Sequence, residues 1–317
     1  ASSTQTGAQG TTYPIQTKET LTLWAMFPPN LTGIKTKWDD TPFFEEWQKR
    51  TGVSMKFIHP AANQEKESLN VMLASGDLPD LIEYDWLKEF PGGPEKAISD
   101  GYILKLNDLI DKHAPNLKKY LQDHPEVDKQ IKTDNGSYYV FPFLRGDANS
   151  MVYQGPMIRK DWLDELGLAI PTTMDEWYTV LKAFKEKKGV ETPLTFLSAP
   201  KALAGLDFGA FTGAYGVYRD FYLENGKIKY GPMEPGYKEF LATFRKWYAE
   251  GLIDKNFATV DSKTLDANMT SGRAGAAIGN TGAGIGKWTP VLREKDAKAV
   301  LAPAPYPVLN KGDKPKF

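Results

Sequence analysis

The stretch AGAAIGNTGAGIGKW, residues 274–288, sets five glycines and a lysine into fifteen positions. A glycine-rich backbone with a nearby ammonium is the composition that cradles phosphate, so the spacing decides whether this is a nucleotide site. A P-loop requires Gly, four free positions, then Gly-Lys and a Ser or Thr hydroxyl for magnesium. Here Gly286-Lys287 is preceded at the required position by Thr281 and followed by Trp288. The dinucleotide pattern G-x-G-x-x-G also fails, because Gly282 and Gly284 are followed by Lys287 where the third glycine belongs. The run follows a polar helix-like segment, SKTLDANMTSG, instead of opening a first βα turn. Phosphate chemistry is therefore not what makes this loop glycine-rich.

Other chemistries narrow as quickly. The chain has no cysteine, which removes disulfides, thiolate metal sites and Cys nucleophiles. Its three histidines, His59, His113 and His124, form no H-x-x-x-H or H-E-x-x-H pattern, so no metal or cofactor site is expected. No G-x-S-x-G nucleophile elbow is present. The 40 acidic residues leave open a carboxylate pair around a glycosidic bond, although no acidic motif marks a strand end. A net charge of -1 gives no basic field, and KEKK (185–188) and KGDKPK (311–316) are short solvated runs, so nucleic acid is not the expected partner. No stretch reaches the roughly 20 apolar residues of a membrane span.

The 317 residues, 41% of them hydrophobic, suffice for two lobes, each with a core. ASSTQTGAQGTT at the start is small and polar, the composition of a flexible tether. LTLWAMF (21–27) reads as a strand ending in a Pro-Pro-Asn turn. Thr41 then caps a helix with Pro42 at its first position, a buried stripe of Phe43, Phe44 and Trp47, and Gly52 at its end. VSMKFIH (53–59) alternates as a strand, Asn63 caps a helix that faces Leu69, Met72 and Leu73 inward, and LIEY follows the Gly-Asp-Leu-Pro turn. That βαβαβ order predicts a parallel sheet with helices on its faces. Residues 95–131 are helical, and Asn135-Gly136 marks a hairpin in TDNGSYYVFPF. RGDANS (145–150) separates two apolar strands and is the expected lobe boundary. Beyond it come PMIRKDWLDELGL, a Thr173/Glu176 capping box, a hairpin with Asn225-Gly226 at its tip, and the amphipathic helix GYKEFLATFRKWYAEGLID. Trp47, Trp162, Trp177, Phe244 and Trp247 fall on regular stripes and belong to the core.

The order of LTLWAMF, TPFFEEWQKRTGVSMKF, MLASGDLPDLIEYDW, GSYYVFPF, MIRKDWLDELGL, PTTMDEWYTVLKAF, NGKIKYG, FLATFRKWYAEGLI and NMTSGRAGAAIG resembles that of the family 1 extracellular solute-binding proteins. ASGDLPD together with RKDWLDELGL and PTTMDEWY is specific in combination, and the resemblance covers residues 18–310, closest to the Firmicutes lipoproteins that feed oligosaccharide-type ABC importers. It implies an α/β, two-lobed, periplasmic-binding-protein-like fold of type II. Residues 1–18 would be a linker, 19–145 with about 272–300 lobe one, and 150–268 with about 303–317 lobe two. AGAAIGNTG would be the strand returning to lobe one, with VLAPAPYP (300–307) as the next crossing. The helical segment that completes the second lobe in this family is not found before Phe317, so that lobe is expected to be incomplete. The implied protein is not an enzyme: it is a monomer held on the extracellular face of the membrane by an N-terminal lipid, closing on an oligosaccharide and delivering it to an ABC permease. A carbohydrate-active enzyme and a scaffolding or sensor lipoprotein are the alternatives.

Sugars present apolar C–H faces and many hydroxyls, so their sites combine aromatic platforms with polar side chains. In open α/β sheets ligands lie beyond the carboxyl ends of strands. Trp24, whose other reading is core packing, and Phe27 follow that rule after the first strand, and Asp85 and Trp86 follow it after the third. Arg145 and Asp147 at the boundary reach either ligand hydroxyls or each other. Phe211 and Tyr215 lie in a glycine-rich run, Asn280 follows the small-residue strand, and Trp288 closes the glycine loop as a platform or as packing beneath it.

Overall fold

A computed structural model describes residues 12–28, 31, 35–61, 64–146, 152–198 and 210–316. The chain divides into two compact units, Ala1–Leu144 and Arg145–Phe317.

In the first unit, β1 (Thr20–Trp24), α1 (Pro42–Thr51), β2 (Ser54–Ile58), α2 (Glu65–Ser75) and β3 (Leu81–Ile82) alternate. They give a parallel sheet in the order β2-β1-β3, with Thr20 opposite Ser54 and Leu23 opposite Leu81. Glycines end both helices in the left-handed region, Gly52 at φ 74 and Gly76 at φ 72, where a Cβ would be strained. Thr41 and Pro42 start α1 as expected, whereas Asn63 lies outside the described residues and Gln64 holds the cap position of α2. The stripe on α1 is narrower than its sequence suggests. Phe44 packs on Phe57 at 4.6 Å and on Trp38 at 5.6 Å, while Phe43, about 100° around the helix from Phe44, is 68% exposed. Four short helices follow: α3 (Gly93–Ser99), α4 (Asn107–His113), α5 (Pro115–Asp123) and α6 (Pro125–Gln130). The Asn135-Gly136 turn forms, with the Gly136 N–H donating to the Thr133 carbonyl at 2.9 Å, but it carries a single bridge, Lys132 to Tyr138, and no extended hairpin. Trp24, Leu69, Leu73, Trp86 and Ala97 make the core. Residues 12–18 belong to the folded unit more than to a tether: the Ile15 N–H donates to the Thr51 carbonyl at 2.7 Å.

The second unit contains β4 (Gln154–Arg159), α7 (Lys160–Leu166), α8 (Met174–Lys188), β5 (Thr192–Thr195), β6 (Phe221–Glu224), β7 (Lys227–Tyr230), α9 (Pro235–Ala249), α10 (Ser262–Thr270), β8 (Ala274–Asn280), α11 (Lys287–Lys295) and β9 (Leu301–Pro303). Its four-stranded sheet has the order β5-β8-β4-β9. β8 runs parallel to β5 and antiparallel to β4, and β9 pairs antiparallel with the other edge of β4. This corrects the assignment of residues 272–300 to lobe one, and of VLAPAPYP to a crossing, since β8 is an inner strand of the second unit and β9 its edge. The small residues of β8 have a packing reason. A Cβ on Gly275 would stand 2.2 Å from the Phe184 ring, and one on Gly279 would stand 3.3 Å from Trp288. Aromatic rings from both covering layers press on the strand, and only small residues leave room for them.

Two cores flank the sheet. One gathers Ile158, Trp177, Phe184, Phe211, Phe244 and Trp247 among others, and the second centres on Met157, Met269 and Trp288. β6 and β7 form the expected hairpin, with Asn225 at φ 52 and Gly226 at φ 75, the pair of left-handed residues a type I′ turn requires.

The capping box on α8 is complete, with Thr173 accepting from the Glu176 N–H. The Glu176 carboxylate accepts from the backbone N–H of Thr172, from Lys311 and from the Thr172 hydroxyl, which holds its pKa down at about 2 against the opposing effect of burial. Thr173→Ala is expected to cost about 1 kcal/mol of stability in denaturant titration. Because the folded pKa is depressed, the Glu176 contribution is full above its ordinary value of 4.5 and is lost as pH falls towards about 2. Glu176→Gln should therefore flatten the acid limb of the stability profile over that window.

Candidate functional site

The carboxyl ends of the parallel strands are where each unit can present side chains to a ligand. In the first unit the chain leaves β1 through Ala25, Met26 and Phe27, and leaves β2 through His59. His59 Nδ1 lies 2.8 Å from the Ala25 carbonyl, so it carries the proton and donates, leaving Nε2 to accept from the Trp38 N–H at 3.3 Å. Trp38 packs edge-on against Phe27 at 5.3 Å, and its Nε1 donates to the Met26 carbonyl at 3.3 Å. Beside it, Asp39 is bridged to Lys37 at 3.4 Å through Oδ2, while its Oδ1 is buried without a partner among the described residues. This group sets the half-buried Trp38 and His59 rings, backed by the buried Phe27, beside a carboxylate, as a sugar subsite does. Of these, sequence reasoning named Phe27 alone, since Trp38 and Asp39 stand in an irregular segment before α1 and only the fold brings them to His59.

Trp24 and Trp86, expected as platforms, are instead core residues at 2% and 3% exposure. Trp24 meets Tyr84 edge-on at 6.3 Å, and Trp86 is held between Tyr84 at 5.6 Å and Phe90 at 5.4 Å. Neither ring offers a face to a ligand. An indole just past a short strand still lies over the core when the strand is two residues long and the next turn folds back. Asp85 is exposed, and its Oδ1 accepts from the Lys88 N–H at 3.0 Å, so it caps the turn that follows β3.

In the second unit Arg145 lies over the Tyr153 ring at 4.0 Å; Asp147 lies outside the described residues. Phe211 is fully buried, with Trp177 at 5.3 Å and Phe244 at 5.4 Å, and is corrected from ligand surface to core. The 3-10 turn Thr212–Tyr215 that follows it buries this ring and leaves Tyr215 half-buried on Phe240 at 6.0 Å. Trp288 is likewise core at 2% exposure, its Nε1 donating to Asp266 at 2.6 Å. It packs beneath the glycine-rich turn, because Gly284 leaves space for the Met157 sulfur and the Trp288 ring.

Asn280 ends β8 directly opposite Gln154, the first residue of β4. Gln154 was not legible as a site residue, since nothing in MVYQGPMIR distinguishes it from a strand residue. The backbone beneath this pair is firmly held: the Tyr306 hydroxyl donates to the Gln154 carbonyl at 2.6 Å, and the Thr281 N–H donates to the Tyr153 carbonyl at 2.9 Å. Among the described residues no group of three or more His, Asp or Glu side chains is placed to hold a metal ion, and no helix is long and apolar enough to cross a membrane.

Comparison with known proteins agrees with this architecture. A fructooligosaccharide ABC transporter substrate-binding protein, FusA of Streptococcus pneumoniae, is 31% identical over 270 residues, which cover 80% of this chain and 48% of that protein. The lipoprotein LipO of Bacillus subtilis is 28% identical over 264 residues, 81% of this chain and 50% of the relative. Among solved structures, the alginate-binding protein AlgQ2 superposes with a TM-score of 0.65 at 29% identity, over 90% of this chain and 57% of that one. The chain thus spans about half the length of the curated relatives it matches. The family model described as "Bacterial extracellular solute-binding protein" matches residues 33–316. The mixed α/β architecture is that of periplasmic solute-binding proteins, and the chain belongs to the bacterial extracellular solute-binding protein family.

Proposed function

We propose that this chain is the substrate-binding component of an ABC importer, capturing an oligosaccharide and delivering it to a membrane permease without chemical change. The observation that carries this reading is the family match across residues 33–316, joined to the 31% identity with a fructooligosaccharide-binding relative. Residues at strand ends and in the turn before α1 support it from below. Trp38 and Asp39 in the first unit, and Gln154 and Asn280 in the second, are aromatic, carboxylate and amide groups suited to C–H faces and hydroxyls. Asp85 in the first unit and Arg145, Asp147 and Tyr215 in the second remain candidate ligand contacts as polar or amphipathic side chains. The ligand acts by binding one conformation more tightly than the others, and that conformation is the one the permease accepts. The protein works as a monomer on the extracellular face of the membrane, held there by an N-terminal lipid, in keeping with a relative that is itself a lipoprotein.

Isothermal titration with short fructooligosaccharides and alginate oligosaccharides, followed by chromatography of the recovered sugar, tests the reading. Micromolar or tighter binding with the sugar intact is the expected result. Cleavage would replace the transport reading with a carbohydrate-active enzyme, and silence across both series would remove the sugar from the proposal.

A further inference from the structure

The residues Gln154 and Asn280 face one another across the β4–β8 ladder, where β8 reaches its carboxyl end. Alternation along the strands puts both side chains on the same sheet face as Ile158 and Ile278, two members of the larger apolar core. The apolar row therefore ends in two carboxamides. Among the described residues, Gln154 Oε1, Gln154 Nε2 and Asn280 Oδ1 are all buried and have no hydrogen-bond partner. Buried amides are normally paired, because each unmade hydrogen bond loses what water would have supplied. A cross-strand pair is close enough for such side chains to meet, yet these are not bonded to each other. Their backbone is locked by Tyr306 and Thr281, so the unfilled groups are the side-chain tips alone. Rigid support beneath unsatisfied tips is how a binding constellation is held ready.

We propose that Gln154 and Asn280 form a hydroxyl-reading clamp for adjacent hydroxyls of a carbohydrate, a specificity determinant within the capture function inferred above, on which this proposal rests. The chemistry selects that class of ligand group. Gln154 needs one donor and one acceptor at the same time, and reversing its amide leaves that requirement unchanged. A hydroxyl both donates and accepts, so two adjacent hydroxyls satisfy Gln154 and still have a donor for Asn280. A carboxylate only accepts and would leave the Gln154 oxygen unfilled. The turn that follows, Thr281–Gly286, is a wide π-type helical turn, with Gly282 free of any atom within 4 Å of a would-be Cβ. A sugar ring beside Asn280 meets open, exposed backbone at Gly282.

The test uses Gln154→Leu, Asn280→Leu and the double variant in the full chain, with two readouts. In thermal melts without ligand, the double variant is expected to melt higher than the parent by about 2 °C or more, because unpaired buried amides give way to apolar groups of similar shape. In titrations with kestose and an alginate trisaccharide, whichever sugar the parent binds is expected to bind each single variant about tenfold more weakly. A melting point that falls or stays unchanged in the double variant overturns the clamp, since the amides would then be satisfied structurally. Unchanged affinity in Gln154→Leu overturns it as well. If neither sugar binds the parent, the oligosaccharide reading fails by itself and the melting shift alone decides the clamp. A rise then retains it for another hydroxyl-bearing solute, and a fall removes it.

Discussion

Gly275→Ala is expected to destabilise the second unit by about 2–3 kcal/mol, at the upper end of the usual overpacking cost, and Gly275→Val to prevent its folding. A single methyl at this position would stand 2.2 Å from Cδ2 of Phe184, 2.7 Å from Cε2 and 3.0 Å from the Trp162 ring. The Phe184 ring has no room to retreat. Phe184 is fully buried, and it meets Trp162 edge-on at 5.3 Å within the same core. β8 cannot shift either, because it is hydrogen-bonded on both sides, to β4 and to β5. Gly282→Ala is the control: no atom lies within 4 Å of the position its methyl would take, and its φ is not positive, so a change within about 0.5 kcal/mol is expected. A second-site test separates sterics from strand propensity. With Phe184→Leu in the background, the alanine at 275 should cost less than it does alone, so the double change falls short of the sum. Denaturant titration followed by tryptophan fluorescence reads all four proteins. Full additivity would show that the cost comes from the backbone and not from the ring.

The same glycine shows where sequence reasoning reached and where it stopped. The small-residue run was legible as a strand flanked by a polar helix and a glycine turn, and its failure as a phosphate loop was legible from spacing alone. Its place was not, because nothing in AGAAIGN states which strands flank it, and that information resides in Phe184 and Trp288, at distances of 91 and 13 residues along the chain. Helix ends and hairpin tips were readable for a local reason: Gly52, Gly76, Gly167 and the Asn225-Gly226 pair adopt positive φ, which few other residues tolerate. The candidate site was read less well, and in one direction. Aromatics were favoured, and Trp24, Trp86, Phe211 and Trp288 proved to be buried. An aromatic residue gains most by burial, so its presence near a strand end does not distinguish platform from core. Gln154 carries no such ambiguity once placed, but its significance arises only from the unfilled hydrogen bonds around it.

Asp161→Ala is expected to cost about 3–5 kcal/mol, the penalty for leaving a buried cation without its partner. The Arg159 guanidinium, 5% exposed at the end of β4, donates through Nε to Asp161 Oδ1 at 2.8 Å and through a terminal nitrogen to Oδ2 at 2.5 Å. It also lies over the Trp162 ring at 4.2 Å. Asp296 is the other carboxylate in reach, at 3.9 Å and half exposed, too distant to replace a bidentate partner. Asp161→Asn keeps the shape and one acceptor, so it should cost less than alanine. Replacing the pair by Arg159→Met with Asp161→Leu should cost least, because it removes both desolvation penalties together. The acid response follows from the same geometry. Burial pushes the Asp161 pKa up, and the hydrogen bond and charge of Arg159, aided by the Val300 N–H, outweigh it, so the net shift is downward from 3.8. A depressed folded pKa means that the stabilisation is full above that ordinary value and is lost as pH falls below it. Stability of the parent should therefore drop across the window beneath about pH 4, and Asp161→Asn should lack that part of the drop. The consequence reaches the proposed clamp through β4 itself. Arg159 pins the end of the strand whose first residue is Gln154, while the Lys160 N–H donates to the Val300 carbonyl at 2.8 Å beside β9. Loosening that anchor should weaken sugar binding in Asp161→Asn by less than the direct loss in Gln154→Leu. An equal loss would mean that strand position, and not the Gln154 amide, sets the affinity.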